Sequence, residues 1–223
     1  MKTIGIIFAM QKELDLFCKS LKNLQIKKSD TSNFYCGDLN GKNIIATVCG
    51  TGKVNAAIGT IALIHNFSPE LIINLGISGG LDSSVEIGDV IIGDSMVYHD
   101  VWCGEPNQYG QVQGLPTYFL SDQTLTAKFT SFKHGQLCCG DQFISELQEL
   151  QKIKNNFPQA IAVDMESAAI AQVCYLYHTP LLCVRQISDT PGVEHHEEQY
   201  SAFWKKAPQN CLKILDEVFE KIS

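Results

Sequence analysis

Ala162-Val163-Asp164-Met165-Glu166-Ser167 and, a helix and a strand further on, Arg185-Gln186-Ile187-Ser188-Asp189 are the stretches whose reading decides this chain. Two apolar runs of strand length stop at polar residues, the first at a Met-Glu pair and the second at Ser-Asp. In an open α/β sheet this pattern predicts two carboxylates at adjacent strand ends, where such sheets build their sites. Further apolar runs of strand length lie at 4–9, 44–49, 71–75 and 90–92. Helical patterns separate several of them. Val54, Ala57, Ile58, Ile61 and Ile64 mark one helix face. Tyr200, Phe203, Trp204, Ala207, Cys211, Leu215, Val218 and Ile222 mark a C-terminal helix that Pro208 is expected to kink or split. The alternation predicts an α/β protein: a single three-layer αβα domain over residues 1–223, its sheet largely parallel in the core. Residues 34–42 read as a hairpin turning at Asn40-Gly41, which makes the central sheet mixed.

With 45% hydrophobic and 18% charged residues, a chain of 223 buries a core without covalent staples. A formal charge of -7 and a pI near 5.3 argue against nucleic acid or an anionic membrane as a partner, because basic residues nowhere form an extended cluster. Small or neutral ligands fit better. The nine cysteines (18, 36, 49, 103, 138, 139, 174, 183 and 211) are odd in number and several sit inside apolar patterns, so they read as reduced, mostly buried thiols of a cytosolic protein. The apolar start reaches Gln11-Lys12-Glu13 too soon for a signal peptide, and no apolar stretch approaches membrane-spanning length. It reads as a first strand. Residues 99–116, with three glycines and two prolines, read as a long loop, the kind that serves function or an interface.

Two glycine stretches follow strands: Gly50-Thr51-Gly52-Lys53 and Gly76-Ile77-Ser78-Gly79-Gly80. Each lets backbone amides approach a ligand, and each in isolation is equally a tight turn, because neither has the spacing of a phosphate-binding or dinucleotide-binding motif. Taken singly, Glu13 is a solvated first-turn acid, Glu166 and Asp189 are helix caps or first-turn acids, Met165 is core filling and Phe143 a core aromatic. His195-His196-Glu197-Glu198 lacks the helical spacing of zinc ligands and reads as a polar loop, so no metal site is expected.

Their order and spacing together resemble the 5'-methylthioadenosine/S-adenosylhomocysteine nucleosidases of the nucleoside phosphorylase superfamily, nearly end to end. The resemblance rests on segments 4–13, 50–54, 73–80, 85–90, 140–144, 156–166 and 187–189. Cleaving an N-glycosidic bond through an oxocarbenium-like sugar needs an acid for the base, a base for water and groups that hold the ribose. By resemblance, Asp189 gives its proton to adenine N7, which burial beside Ser188 would favour by raising its pKa. Glu13 activates the water, and Glu166 binds the ribose 2' and 3' hydroxyls. Met165 then lines the sugar face, Phe143 stacks on adenine, the Ile144 backbone reads the purine edge, and Arg185 and Ser78 support the water. Met10, Gly79, Thr51, Trp102, Gln113, Tyr200 and Phe203 complete the expected substrate-binding set, Tyr200 or Phe203 acting as a lid. The resemblance further implies a cytoplasmic homodimer without cofactor, in which the partner's loop 99–116 closes the 5' pocket.

Thr51 stands where many family members carry an aliphatic residue, and Gln113 where they carry a proline. The loop 101–107 also differs from the usual sequence, and the segment 122–141 is about two helical turns shorter than in long members. These departures leave other adenine nucleosides, such as 5'-deoxyadenosine or a futalosine-type compound, as alternatives. A phosphate-dependent phosphorylase is a further alternative, disfavoured because no arginine precedes Arg185. So is a purine-binding module without turnover, which would not require an acid and base pair.

Overall fold

The structure, a computed structural model, describes residues 3–191 and 196–222; the side chains of residues 196–197 and 206–216 lie outside the description. The elements run β1 (Thr3–Phe8), α1 (Gln11–Cys18), β2 (Lys22–Lys28), β3 (Asn33–Leu39), β4 (Lys42–Val48), α2 (Lys53–Phe67), β5 (Leu71–Gly80), β6 (Val90–Tyr98), β7 (Phe119–Leu120) and α3 (Gln123–Thr126). They continue with β8 (Lys133–Cys139), α4 (Leu147–Asn156), β9 (Ala160–Asp164), α5 (Ser167–Leu176), β10 (Leu181–Asp189) and α6 (His196–Lys221). β1 pairs in parallel with β4 and β5, and β5 with β10, whereas β3 pairs antiparallel with β2 and β4. The sheet is mixed, as the hairpin signal implied. Leu39 pairs with Lys42 across Asn40 and Gly41, both at positive φ.

Successive side chains of the central strands point to opposite faces, and both faces are buried. Ile7, Ile45 and Ile72 pack in the cluster that contains Ala56 and Leu63 of α2 and Ala168 and Ile170 of α5. Ile6, Ile44 and Ile73 pack instead with Leu14 and Phe17 of α1 and Val218 and Phe219 of α6. That is the physical content of three layers.

Four expectations change. The run Gly76-Ile77-Ser78-Gly79-Gly80 is the second half of β5, not a loop; it stays hydrogen-bonded to β10 and crosses to β9 at Gly79 and Gly80. β9 and β10 are not neighbours, because β5 lies between them and pairs with both. Together with β6 and β8 these strands close a ring in the order β5-β9-β8-β6-β10-β5. The buried face of α2 is Ala56, Gly59, Thr60 and Leu63, while Val54 and Ile58 remain 69% and 47% exposed. Small residues let the helix approach the sheet closely, which turns the larger aliphatic side chains away from it. Finally, α6 is not split at Pro208 but runs through it as one helix, and the acidic-histidine tract enters it at His196 rather than forming a loop; His195 lies outside the described residues, as do the side chains of Cys211 and Leu215.

The eight described cysteines are all free thiols, and Cys36, Cys138, Cys139, Cys174 and Cys183 are buried. Among the described residues no helix is long and apolar enough to cross a membrane.

Candidate active site

Glu13, Glu166 and Asp189 reach one cavity of about 160 Å³ from three separate parts of the chain. The ring of strands brings them together. Glu13 enters from the first turn of α1, Glu166 from the turn after β9, and Asp189 from the last position of β10. All three are buried.

Glu13 is a first-turn acid, but not a solvated one. Its Oε2 accepts the Met10 N–H at 2.9 Å, while its Oε1 is buried with no hydrogen-bond partner among the described residues. Gly76 makes room for that oxygen, since a Cβ there would lie 3.2 Å from it. Burial raises the Glu13 carboxyl above the ordinary carboxylate range, opposed by the Met10 N–H and by the Arg185 cation.

Glu166 occupies the N-cap position of α5 without capping it. Asp164 caps the helix instead, its Oδ1 accepting the N–H groups of Glu166 at 3.1 Å and Ser167 at 2.9 Å. Glu166 is thereby released to the cavity, where its Oε1 accepts the Gly52 N–H at 2.8 Å. Burial first and the Asp164 charge second push the Glu166 carboxyl up to about 7, against the opposing Gly52 N–H and Arg185.

Asp189 holds its Oδ1 on the Ser188 hydroxyl, and Ser188 Oγ lies 3.3 Å from the Ser78 carbonyl. Its Oδ2 faces Gly79, where a Cβ would stand 3.3 Å away. Ser78 Oγ is buried beside the same cavity without a hydrogen-bond partner among the described residues.

Arg185 is the chain's single arginine and is fully committed. Its Nε donates to Asp164 Oδ2 at 2.9 Å, one terminal nitrogen to Asn74 Oδ1 at 2.5 Å, and the other to the carbonyls of Asn74 and Val184. The Arg185 and Asp164 side chains are 2% and 3% exposed. Asp164 and Asn74 were not singled out by sequence reasoning. The signals were an Asp just ahead of a helix start and one polar residue inside the apolar run 71–75.

Of the expected substrate-binding set, Met10, Thr51, Ser78, Gly79, Phe143, Ile144, Met165, Arg185, Ser188 and Tyr200 line the cavity. Phe143 is 51% exposed, which rules out a core role, and meets Tyr200 edge to face at 6.0 Å. The Tyr200 hydroxyl lies 3.7 Å from Met10 Sδ. Phe203 does not line the cavity; it is buried and packs on Trp204. The helical period explains this: Trp204, one turn after Tyr200, lies beside it, under the Lys12 ammonium at 3.5 Å from the ring centre. Trp204 also borders a second cavity of about 50 Å³ behind Glu13. Trp102 and Gln113 are exposed and do not line the cavity. Among the described residues no group of three or more His, Cys, Asp or Glu is placed to hold a metal ion.

Two buried glutamates with raised pKa values, a buried aspartate, an aromatic wall and an internally neutralised cation suit proton transfer on an uncharged, ring-bearing ligand. Residues 3–220 match the Phosphorylase superfamily, and the chain belongs to that superfamily. Within it, the chain is 40% identical over 228 residues to the 5'-methylthioadenosine/S-adenosylhomocysteine nucleosidase of Staphylococcus aureus (strain MRSA252), covering 98% of this chain and 100% of that protein. It therefore belongs to the family of 5'-methylthioadenosine/S-adenosylhomocysteine nucleosidases. Among solved structures, the S-adenosylhomocysteine nucleosidase of Streptococcus pyogenes in complex with 5-methylthiotubericidin superposes with a TM-score of 0.93 at 32% identity, covering 100% of this chain and 98% of that one. The 5'-methylthioadenosine/S-adenosylhomocysteine nucleosidase of Neisseria meningitidis in complex with methylthio-immucillin-A gives 0.91 at 33% identity, covering 98% and 99%.

Proposed function

We propose that this protein hydrolyses the N-glycosidic bond of 5'-methylthioadenosine and S-adenosylhomocysteine, releasing adenine and the 5-thio-substituted ribose, as a step in methionine salvage. One observation carries the reading: three buried carboxylates converge on a cavity whose only lining cation among the described residues, Arg185, is already engaged by Asp164 and Asn74. Asp189 protonates the leaving base at N7, Glu13 takes a proton from the attacking water, and Glu166 holds the ribose hydroxyls. Phe143 stacks on adenine and Ile144 reads its edge, with Met165 against the sugar, Tyr200 over the mouth and Thr51 on the 5' side. The unpartnered Glu13 Oε1, in a raised-pKa carboxyl, supports its role as the base. An engaged arginine beside a second acid supports water over phosphate as nucleophile, because an anion there meets carboxylates with no free cation among the described lining residues to offset them.

The reaction asks only for proton transfer and charge stabilisation, so no cofactor is needed. The whole chain, 1–223, acts as a single domain in the cytoplasm, as a homodimer. The exposed Val54 and Ile58 of α2 support a second copy as their cover, and Trp102 and Gln113 would then close the neighbour's 5' pocket. Adenine release from both nucleosides in phosphate-free buffer tests the reading. Asp189→Asn should lower kcat by about 10²- to 10⁴-fold while leaving the fold intact. A requirement for phosphate, or ordinary turnover by that variant, would refute it.

A further inference from the structure

Lys53 opens α2, where a cation opposes the helix dipole, and that first turn carries no acid. Two carboxylates from distant segments offset it. Lys53 Nζ donates to Asp100 Oδ2 at 2.7 Å, and the Lys53 N–H donates to Asp141 Oδ1 at 2.7 Å. Asp100 Oδ2 also accepts the Asp141 N–H at 2.9 Å, so one oxygen joins the helix start to the segment that leads into Phe143 and Ile144. The residue before Lys53 is Gly52, whose N–H holds Glu166. Gly52 sits at φ +94 with Asp141 Oδ1 2.9 Å from where a Cβ would be, so the loop and the Asp141 segment are in direct contact.

The geometry assigns Lys53, Asp100 and Asp141 as a positioning network: it fixes the Gly52 N–H on Glu166 and locks the ribose-holding wall to the adenine-stacking wall. The inference rests on the proposed nucleosidase reaction for the identity of those walls. Lys53 and Asp100 touch neither the cavity nor Asp189 and Glu13, which sit on other elements. Their side chains are 22% and 25% exposed, so solvent screens the pair only in part and Tm has to be followed beside KM. Through Glu166 the network acts on substrate binding. Because Glu166 meets the ribose in ground and transition states alike, loosening it raises KM more than it lowers kcat.

The test compares wild type, Lys53→Met, Lys53→Arg, Asp100→Asn and the Lys53→Met/Asp100→Asn double variant. Adenine release from 5'-methylthioadenosine, inhibition by free adenine, Tm and amide hydrogen exchange of the peptide spanning residues 50–53 are measured. Lys53→Met and Asp100→Asn should each raise KM roughly tenfold with kcat within about threefold, and the double variant should be no worse than either alone. Lys53→Arg should recover most of the loss. Inhibition by adenine, which lacks the ribose, should change less than KM, and exchange at 50–53 should quicken while Tm holds. Unchanged KM and unchanged exchange, or losses that follow Tm without rescue by Arg, would overturn the inference. A wild type that releases no adenine would count against the proposed reaction instead, and the exchange measurement would still decide whether the network orders the loop.

Discussion

At the scale of single residues, Glu166 shows how a site sets charge against stability. In the folded protein its carboxyl is pushed up to about 7 from an ordinary value of 4.5, because burial and Asp164 both disfavour the anion. Between those values the folded state keeps a proton that the unfolded chain has released, so stability falls as pH rises through the window. Below it nothing is lost; above it the cost is complete, about 3 kcal/mol. Glu166→Gln, neutral throughout, should melt higher than wild type at about pH 8 and match it near pH 4. A Tm difference independent of pH would contradict this account. The sequence exposed Glu166 as the end of an apolar run but not Asp164, whose importance comes from accepting two helix N–H groups and the Arg185 guanidinium at once.

At the scale of elements, glycine placement separates room for backbone from room for a neighbour. Gly41 and Gly52 both have positive φ, yet a Cβ on Gly41 meets nothing within 4 Å whereas one on Gly52 meets Asp141. Gly41→Ala should cost about 1 kcal/mol of backbone strain and leave KM unchanged. Gly52→Ala should cost more and also weaken substrate binding, because the loop must leave Asp141 and carry its N–H away from Glu166. Denaturation curves with KM measurements check both; equal effects at the two positions would defeat the argument. α2 itself was found by period but turned to the wrong face. Aliphatic residues marked its expected core side, while the fit of Gly59 and Ala56 against the sheet decided the actual one.

At the scale of the whole molecule, the proposed homodimer is tested on the face of α2 where Val54 and Ile58 are exposed together. On the proposed homodimer, Ile58→Asp should shift the elution of the 24.7 kDa chain from dimer to monomer and, with loop 99–116 of one subunit completing the other's pocket, lower activity. Unchanged elution would remove α2 from the interface. The local pattern of the chain was enough for the α/β class, the mixed sheet and the Asn40-Gly41 turn, because apolar period and turn chemistry are properties of neighbours in sequence; the three acids stood out together only through the family resemblance. Only the folded structure decided that β5 continues through its glycines to join β9 and β10, that Asp164 and Asn74 hold Arg185, and that Trp204 rather than Phe203 stands beside Tyr200. Those outcomes depend on which distant surfaces meet and how closely they can approach, and that is settled by the closing of the strand ring rather than by any local pattern.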